Sequence, residues 1–266
     1  MKFLLPTVVI FILFLSGCTN VDKDAPNQDN ATAPQTPVLS YSVVATYPHD
    51  TSSYTQGLEF YKGQLLEGTG LEGKSKLAQV DLATGKALKN VALDSSIFGE
   101  GITVLNDTLY QLTWKNKKVL VYHAADFKKI KEFPLNTEGW GITNDGKNLI
   151  VSDGGSNLYF YEPATFRLLR TQGVTDAGSP LYNLNELEYI NGYVYANQYE
   201  YNYILKIDPA SGQVVAKMDL SELTDRVRAK DPNINYLNGI AYDTLTKKIY
   251  VTGKLWPELY EIQFEH

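Results

Sequence analysis

Five positions in the sequence place a hydrogen-bonding or aromatic side chain directly before an apolar strand pattern. They are Gln56, Glu100, Trp140, Asn185 and Asn238, and four of them precede a glycine. A crowded core would more simply hold small or apolar side chains at such positions. Amides and a carboxylate offer hydrogen bonds and one group that can gain or lose a proton, so the set predicts a pocket for a small polar ligand.

The spacing of these positions indicates a repeat. Successive members lie 44, 40, 45 and 53 residues apart. A second marker, a turn between two short strand patterns, opens at Asp81, His123, Glu162 and Asp208, in steps of 42, 39 and 46. Two independent markers with one period of about forty residues are typical of four-stranded propeller blades. A β-sandwich or two small barrels would not put the two markers in phase.

The first repeat unit shows four strand patterns and the last unit shows three. The four patterns of the first unit are Gly57–Tyr61, Gln64–Glu67, Leu77–Asp81 and Ala87–Leu93. The last unit ends on its third pattern, residues 259–264, while residues 41–47 alternate like a strand with no partner of their own. Pairing these two segments would remove two open sheet edges. The sequence therefore predicts an all-β fold, a five-bladed β-propeller whose N-terminal strand closes the last blade.

The blade register brings the five polar positions to one mouth of the propeller axis. The inner strand of a blade begins, and its second strand ends, at the same face, because the two strands form a hairpin. The second-strand ends add more side chains to that face, namely Trp114, Asp153, Tyr199, Lys254 and Trp256. The sequence thus predicts an axial pocket that combines one carboxylate, amides, a lysine and several aromatic rings.

Two long connections between blades, residues 171–184 and 219–236, are predicted to open onto the same face. Loops of that length within a compact repeat often have a binding role. The second connection predicts a short helix that begins at Ser221 as its N-cap. Glu222 stands four residues before Arg226, a spacing that favours an ion pair on one helix face.

Charge and composition exclude several classes of protein. The chain has 24 Lys and Arg against 30 Asp and Glu, a net charge of -6 at pH 7, whereas nucleic-acid-binding proteins show a basic surplus. One cysteine excludes an intramolecular disulfide, and three histidines in no ligand-like spacing argue against a zinc site. The Asp81 and Asp208 turns recur from blade to blade, which is typical of hairpin turns and not of calcium loops. We predict no metal ligands and no nucleic-acid partner.

The N-terminus has the pattern of a lipoprotein signal. After Lys2, residues 3–15 are mostly apolar and too few to span a bilayer. The next residues, Leu15-Ser16-Gly17-Cys18, resemble the lipobox of bacterial lipoproteins, in which the cysteine thiol is lipidated. An ordinary secretory signal with a chance cysteine is the alternative.

This pattern predicts three segments. Residues 1–17 would be a cleaved lipoprotein signal peptide. Residues 18–37 are polar and rich in Asn, Asp, Thr and Pro, which predicts a disordered tether that starts at lipidated Cys18. Residues 38–266 would form the catalytic propeller. We therefore expect a protein of the bacterial cell envelope, on its periplasmic or surface side, that contacts the membrane only through a lipid anchor.

Long motifs, in order along the chain, resemble the plant and bacterial glutaminyl cyclases, the glutaminyl-peptide cyclotransferases of the papaya-latex type. The resemblance covers about residues 43–264. It rests on Tyr54-Thr55-Gln56-Gly57-Leu58, Phe98-Gly99-Glu100-Gly101-Ile102-Thr103, Leu109-Tyr110-Gln111-Leu112-Thr113-Trp114, Gly139-Trp140-Gly141, Leu184-Asn185-Glu186-Leu187-Glu188 and Val251-Thr252-Gly253-Lys254-Leu255-Trp256-Pro257. It implies a five-bladed propeller, in agreement with the count of markers.

The resemblance also implies which residues act. The catalytic glutamate of the family falls on Glu100. Its other pocket residues fall on Gln56, Phe98, Trp114, Trp140, Asn185 and Lys254. This chain departs from the family at Tyr54, where phenylalanine is usual, and at Tyr199, where tryptophan is usual. Both changes keep an aromatic ring, so they bear on substrate preference more than on activity.

The implied reaction converts an N-terminal glutamine of a peptide or protein into pyroglutamate and releases ammonia. Glu100 would act as general base and then as general acid, with Lys254, Asn185 or Gln56 donating to the developing oxyanion. We expect a monomer that needs no cofactor, and the sequence leaves open a structural cation on the axis. Two alternatives remain: a metal-dependent lactonase or hydrolase, and a non-catalytic propeller that binds a peptide or glycan.

Overall fold

The computed structural model describes residues 35–265. Within them, twenty strands form five four-stranded antiparallel sheets, and two short strands form a separate hairpin. The innermost strand of each sheet contacts the innermost strands of two neighbouring sheets, so that the five inner strands close a ring. The predicted five-bladed propeller is confirmed.

The blades follow one another along the chain. The first strand of the described residues is β1 (Ser42–Pro48). Blade 1 contains β2 (Thr55–Tyr61), β3 (Gln64–Thr69), β4 (Lys76–Asp81) and β5 (Lys86–Ala92). Blade 2 contains β6 (Gly99–Leu105), β7 (Thr108–Thr113), β8 (Lys118–His123) and β9 (Lys129–Pro134). Blade 3 contains β10 (Ile142–Asn144), β11 (Leu149–Val151), β12 (Asn157–Glu162) and β13 (Arg167–Gly173).

Blades 4 and 5 are separated by the one helix of the described residues. After the hairpin of β14 (Thr175–Asp176) and β15 (Ser179–Pro180), blade 4 contains β16 (Leu184–Ile190), β17 (Tyr193–Gln198), β18 (Tyr203–Ile207) and β19 (Val214–Asp219). The helix is α1 (Ser221–Lys230), and blade 5 contains β20 (Leu237–Asp243), β21 (Lys248–Gly253) and β22 (Glu258–Gln263).

The N-terminal strand completes blade 5, as predicted. The strand order of this sheet is β1-β22-β21-β20, and β1 pairs antiparallel with β22. Tyr47 lies opposite Leu259 in the ladder, and its hydroxyl donates to the Glu261 carboxylate at 2.9 Å. The ring is therefore closed by two strands that are more than 200 residues apart in the sequence.

Residues just before β1 also contact the propeller. The backbone N–H of Lys217 in β19 donates to the carbonyl of Pro37 at 2.9 Å, and the N–H of Leu39 donates to the carbonyl of Lys217 at 2.8 Å. The end of the predicted tether thus lies along the outer strand of blade 4. The predicted signal peptide, Cys18 and the rest of the tether lie outside the described residues. Across residues 35–265, no helix has the length and apolarity that a membrane span requires.

The glycines of the inner-strand marker allow the strands to approach closely at the axis. A Cβ on Gly141 would lie 2.0 Å from the carbonyl oxygen of Asn185, closer than any side chain can tolerate. Blade 4 carries Glu186 instead of glycine at this position. Its carboxylate accepts hydrogen bonds from the backbone N–H of Leu58 (3.2 Å) and of Ile240 (2.9 Å), and so links the inner strands of three blades.

The helix prediction is right in its extent and wrong in its details. Leu220, not Ser221, occupies the N-cap position, and no side chain caps the helix there. The Ser221 N–H instead donates to the side chain of Asp219 at 2.9 Å. The predicted pair of Glu222 with Arg226 is not among the ion pairs of the described chain, and the Arg226 guanidinium lies 6.0 Å from the ring centre of Tyr260. Leu223 and Val227 bury the apolar helix face between blades 4 and 5.

Candidate active site

The mouth at the start of the inner strands opens into a pocket of about 240 Å³. This volume lies below the roughly 300–1,000 Å³ of sites for drug-sized ligands, so it suits one amino-acid residue. The lining residues are Tyr54, Gln56, Phe98, Glu100, Trp114, Trp140, Asn185, Tyr199 and Lys254. The structure therefore brings together all nine residues that the sequence analysis assigned to substrate binding and catalysis, and their chemical roles stay predictions.

Glu100 lies in β6, the inner strand of blade 2, and its side chain is buried. No group of the described residues donates a hydrogen bond to its carboxylate. Burial raises its pKa well above the ordinary value, the nearby charge of Glu138 raises it further, and Lys254 opposes both effects. A carboxyl group with a raised pKa and a free face holds a proton more strongly than an ordinary glutamate, as a group that must accept a proton and return it requires.

Lys254 follows β21 in blade 5, and it is only 3% exposed. Its ammonium lies 5.0 Å from the ring centres of both Tyr54 and Tyr199, within the range of a cation–π contact. Burial lowers the pKa of Lys254 to about 8, and the charge of Glu100 works against that shift. The pocket thus holds one acid and one base whose titrations are both displaced toward neutrality.

Aromatic rings form the walls of the pocket. Phe98 packs edge-on against Tyr54 and Trp114, with ring centres 6.2 and 5.5 Å away. Trp140 and Tyr199 form a second edge-on pair at 5.5 Å. A glycine is required beside this wall, because a Cβ on Gly70 would lie 2.3 Å from the Phe98 ring. These rings give the pocket an apolar wall, and electrostatic interactions are stronger beside a wall of low dielectric constant.

Asn238 supports the pocket without lining it, contrary to the prediction from register. Its amide nitrogen donates to the carbonyl of Thr55 at 2.9 Å and to the side-chain oxygen of Gln56 at 3.1 Å. The side chain is fully buried behind Gln56. Because the side-chain oxygen of Gln56 already accepts a hydrogen bond from Asn238, the NH2 group of Gln56 is the part available to a ligand.

Two other predicted side chains do not line the pocket. Asp153 accepts hydrogen bonds from the Thr137 hydroxyl (2.8 Å) and the Gly155 N–H (3.0 Å), and so shapes the turn that follows β11. Trp256 is fully buried and donates to the carbonyl of Asn235 at 3.0 Å. A side chain at the end of the second strand of a blade therefore lines the pocket only when the turn that follows the strand directs this side chain toward the axis.

The sequence analysis missed Glu138, which contacts the pocket wall from behind. The indole N–H of Trp114 donates to its carboxylate at 2.7 Å. This hydrogen bond fixes the ring plane of Trp114, and the negative charge acts on Glu100. Its position two residues before Trp140 is the signal that could have identified it.

In the part of the chain that the structure describes, no group of three or more His, Cys, Asp and Glu side chains has an arrangement that could hold a metal ion. The Asp81 and Asp208 side chains accept hydrogen bonds from the N–H groups two residues later, at 3.0 Å in both turns. These aspartates build hairpin turns, as predicted.

The fold and the pocket define a class: five-bladed propellers that hold one buried carboxylate and one buried ammonium in an aromatic pocket on the axis. Comparison of sequences identifies the family within this class. The sequence profile of the glutamine cyclotransferase family matches residues 13–264, and the chain belongs to that family.

Two known proteins are similar over most of the chain. The glutaminyl-peptide cyclotransferase of Arabidopsis thaliana is 40% identical over 227 residues, which cover 84% of this chain and 71% of that protein. The crystal structure of Myxococcus xanthus glutaminyl cyclase is 36% identical, covers 86% of this chain and 98% of its own, and superposes with a TM-score of 0.81. The resemblance drawn from the motifs is confirmed.

Proposed function

We propose that this protein is a glutaminyl-peptide cyclotransferase, which converts the N-terminal glutamine of peptides and proteins into pyroglutamate and releases ammonia. The observation that carries this proposal is Glu100, a buried carboxylate with a raised pKa and no hydrogen-bond donor among the described residues. It shares with Lys254 a pocket sized for one amino-acid residue. Family membership and the similarity to a glutaminyl-peptide cyclotransferase and to a glutaminyl cyclase support the same activity.

The reaction is an intramolecular attack, so orientation accounts for much of the acceleration. The α-amine of the substrate attacks the carboxamide carbon of its own side chain and closes a five-membered ring. The rings of Trp114, Trp140 and Phe98 would hold the side chain folded back toward the amine. Fixing both reacting groups in one geometry avoids the entropy cost of finding it during the reaction.

Glu100 transfers the proton. A free α-amino group has a pKa of about 7.7–8.0, so the substrate amine gives up its proton readily near neutral pH. As the new C–N bond forms, Glu100 accepts a proton from the attacking nitrogen. The protonated carboxyl group then donates that proton to the departing NH2 group, the old C–N bond breaks, and ammonia leaves. The raised pKa of Glu100 makes it a stronger proton acceptor than an ordinary glutamate, as the first step requires.

The developing oxyanion needs a donor. The candidates are the Lys254 ammonium, the Asn185 amide and the Gln56 NH2 group, all of which line the pocket. In a water-excluded site a positioned donor of this kind is worth about 10²–10³ in rate. The proposed chemistry uses these side chains alone and requires no cofactor.

We also propose that the protein is a monomeric lipoprotein of the bacterial cell envelope. The support is the sequence of residues 1–37, with its apolar run, its lipobox-like cysteine at position 18 and its polar tether. Cys18→Ala is expected to remove the protein from the membrane fraction of cells while leaving its activity unchanged. A variant of mature size that still fractionates with membranes would contradict the lipid anchor.

The function is tested on purified residues 19–266, which lack only the signal and the lipidated cysteine. A coupled ammonia assay on a glutamine-initiated peptide, with mass spectrometry of the product, should show ring closure. An N-acetylated glutamine peptide is the matched control, because its nitrogen cannot attack. Absence of ammonia would overturn the proposal, and chelator-sensitive hydrolysis of a lactone panel would favour the alternative propeller enzyme.

A further inference from the structure

A buried ion pair lies behind the segment that carries Lys254. His49 and Glu67 are each 2% exposed in their side chains, and His49 Nε2 lies 3.0 Å from Glu67 Oε1. The other ring nitrogen of His49, Nδ1, lies 2.7 Å from the backbone carbonyl oxygen of Trp256. No step of the proposed reaction uses either residue, and neither lines the pocket.

The contacts of His49 determine its protonation state. The Trp256 carbonyl can only accept a hydrogen bond. The Glu67 carboxylate also accepts from the hydroxyl of Thr55 (2.7 Å) and from that of Ser53 (3.1 Å), so it is surrounded by donors and is ionised. Both ring nitrogens of His49 therefore face acceptors, an arrangement that is satisfied when both carry a hydrogen. The geometry favours the imidazolium form of the side chain.

The electrostatic surroundings agree with this geometry. Burial by itself would lower the pKa of His49, but the charge and hydrogen bond of Glu67 and the Trp256 carbonyl outweigh it and raise that pKa. The pKa of Glu67 is lowered despite its burial, because His49 lies against it. The other charged groups nearby, Asp50 and Lys76, pair with each other at 3.1 Å and act weakly on the two residues.

The pair joins two segments that carry pocket residues. Trp256, whose carbonyl it holds, stands two residues after Lys254, and Leu255 between them has a left-handed backbone (φ +63°) that places the chain in a tight turn. The Leu255 N–H donates to the carbonyl of Ser53 at 2.8 Å. On the other side, Glu67 holds Thr55, the residue directly before Gln56.

We propose that His49 is a positioning residue which, as a buried imidazolium paired with Glu67, holds the Lys254 segment against the strand that carries Gln56. Its loss removes the side-chain link to the Lys254 turn, leaves only the backbone bonds of Leu255 to Ser53 and of His49 to Pro257, and lets water reach the ammonium. The activity measurements below rest on the proposed cyclotransferase function, whereas the protonation measurement is independent of it.

The first experiment follows histidine protonation in the wild-type protein, residues 19–266, by NMR of ¹⁵N- and ¹³C-labelled histidine. The chain has three histidines, of which His123 is exposed, and single Gln variants assign their signals. We expect His49 to keep the imidazolium signature well above the pH of about 6.5 at which a free imidazole is half-protonated. If His49 loses its proton at or below that pH, the proposal is overturned.

The second experiment compares kcat/KM and its pH profile for His49→Gln, Glu67→Gln and the control His123→Gln. A single Gln nitrogen cannot bridge the Trp256 carbonyl and Glu67. We expect the first two variants to lose about 10²-fold in kcat/KM, as a misplacement near 1 Å would cause. Because burial lowers the pKa of Lys254 to about 8, we expect loss of its proton to set the alkaline limb of the wild-type profile. In both variants this limb should move to higher pH, because a hydrated ammonium recovers its ordinary pKa. Loss of stability alone would not move that limb.

The possible results distinguish failure of the positioning role from failure of the proposed function. Folded His49→Gln with wild-type kcat/KM and an unchanged alkaline limb overturns the positioning role. If His49→Gln does not fold, Thr55→Val tests the same link more mildly, since it removes one hydrogen bond from Glu67 and should give a smaller shift of the limb in the same direction. If the wild-type protein releases no ammonia while His49 stays an imidazolium, the proposed function fails and the buried pair stands.

Discussion

Two groups of buried carboxylates lie along the propeller axis, and they differ in what they contact. In the pocket, Glu100 receives no hydrogen bond from the described residues. Further along the inner strands, the Glu186 carboxylate accepts hydrogen bonds from the backbone N–H groups of Leu58 and Ile240. The Glu188 carboxylate accepts one from the backbone N–H of Tyr242 at 2.7 Å. Burial raises the pKa well above the ordinary value in all three glutamates.

This difference shows that a raised pKa does not by itself identify a catalytic acid. Glu186 and Glu188 use their oxygens to satisfy backbone donors at the crowded axis, so their role is to hold neighbouring blades together. Glu100 has a free face toward a cavity and an ammonium in the same pocket. An ionisable group can exchange a proton with a ligand only when its hydrogen-bonding capacity is not already used.

The largest expected effect is on activity and comes from Glu100→Gln. The substitution keeps the size of the side chain and removes the proton acceptor, so kcat should fall about 10²–10⁴-fold. Ammonia release measures the loss, and circular dichroism checks the fold. Glu200→Gln, which changes an exposed carboxylate beside Tyr199, is the matched control and should keep its activity. Near-normal turnover of folded Glu100→Gln would remove the distinction between the two groups.

Lys254→Met should lower kcat by about 10²-fold if its ammonium donates to the oxyanion. The substitution should also raise the pKa of Glu100 further. In the wild-type protein the charge of Lys254 lowers that pKa and so counteracts the effect of burial. The acidic limb of the pH profile of kcat/KM should therefore move to higher pH. The exposed Lys117→Met serves as the control. An unmoved acidic limb would mean that Lys254 does not act on Glu100.

Glu186→Gln should affect stability and not chemistry. One carboxylate oxygen becomes an NH2 group that faces the N–H of Leu58 or Ile240, so a buried backbone donor loses its partner. The expected cost is about 1–3 kcal/mol in the free energy of unfolding, measured by urea titration. kcat should change little. A large loss of kcat at unchanged stability would move Glu186 into the group that contains Glu100.

The pH dependence of stability gives a further test, at Glu59. Burial raises the pKa of Glu59 to about 7 from an ordinary 4.5. Because the folded-state value is the higher one, Glu59 favours the folded state fully below pH 4.5 and loses that contribution as pH rises through 7. Glu59→Gln should therefore flatten the decline in unfolding free energy between pH 5 and pH 8, by on the order of 1–3 kcal/mol. Parallel curves for the two proteins would contradict this assignment.

The smallest effect is expected from Glu138→Gln. The new amide oxygen can still accept the indole N–H of Trp114, so the ring keeps its support. The substitution removes a negative charge that raises the pKa of Glu100. The acidic limb of kcat/KM should shift slightly to lower pH, opposite to Lys254→Met, with kcat changed only a few-fold. A shift in the same direction as Lys254→Met would show that the charge of Glu138 does not reach Glu100.

The fold could be predicted because short sequence patterns recur from blade to blade. The Gly57, Gly101, Gly141 and Gly239 positions mark inner strands that approach too closely for a side chain, and the hairpin turns opened by Asp81 and Asp208 follow in phase. Even the exception, Glu186, keeps the phase of the repeat. Closure by β1 followed from one unpaired strand pattern at each end of the propeller.

The site was predicted in part. Register placed Gln56, Glu100, Trp140 and Asn185 at one mouth, and the resemblance added Tyr54, Phe98 and others. Register failed for Asn238 and Trp256, because it gives the end of the axis where a residue lies and not the contact its side chain finds there. Both side chains are held by backbone carbonyls behind the pocket wall, those of Thr55 and Asn235.

The sequence by itself determined the number of blades, the closing strand and the nine residues of the family motifs that line the pocket, because each depends on a repeat period or on a motif of consecutive residues. Only the tertiary structure decided which buried acids are satisfied and which is free. Glu100, Glu186 and Glu188 are the same residue type on the same kind of strand, and their difference arises from N–H groups of other blades, far away in the chain. The pairing of His49 with Glu67 and Trp256 has the same origin. These hydrogen bonds join residues from 18 to 207 positions apart, so they depend on how the strands and blades pack and not on a local pattern.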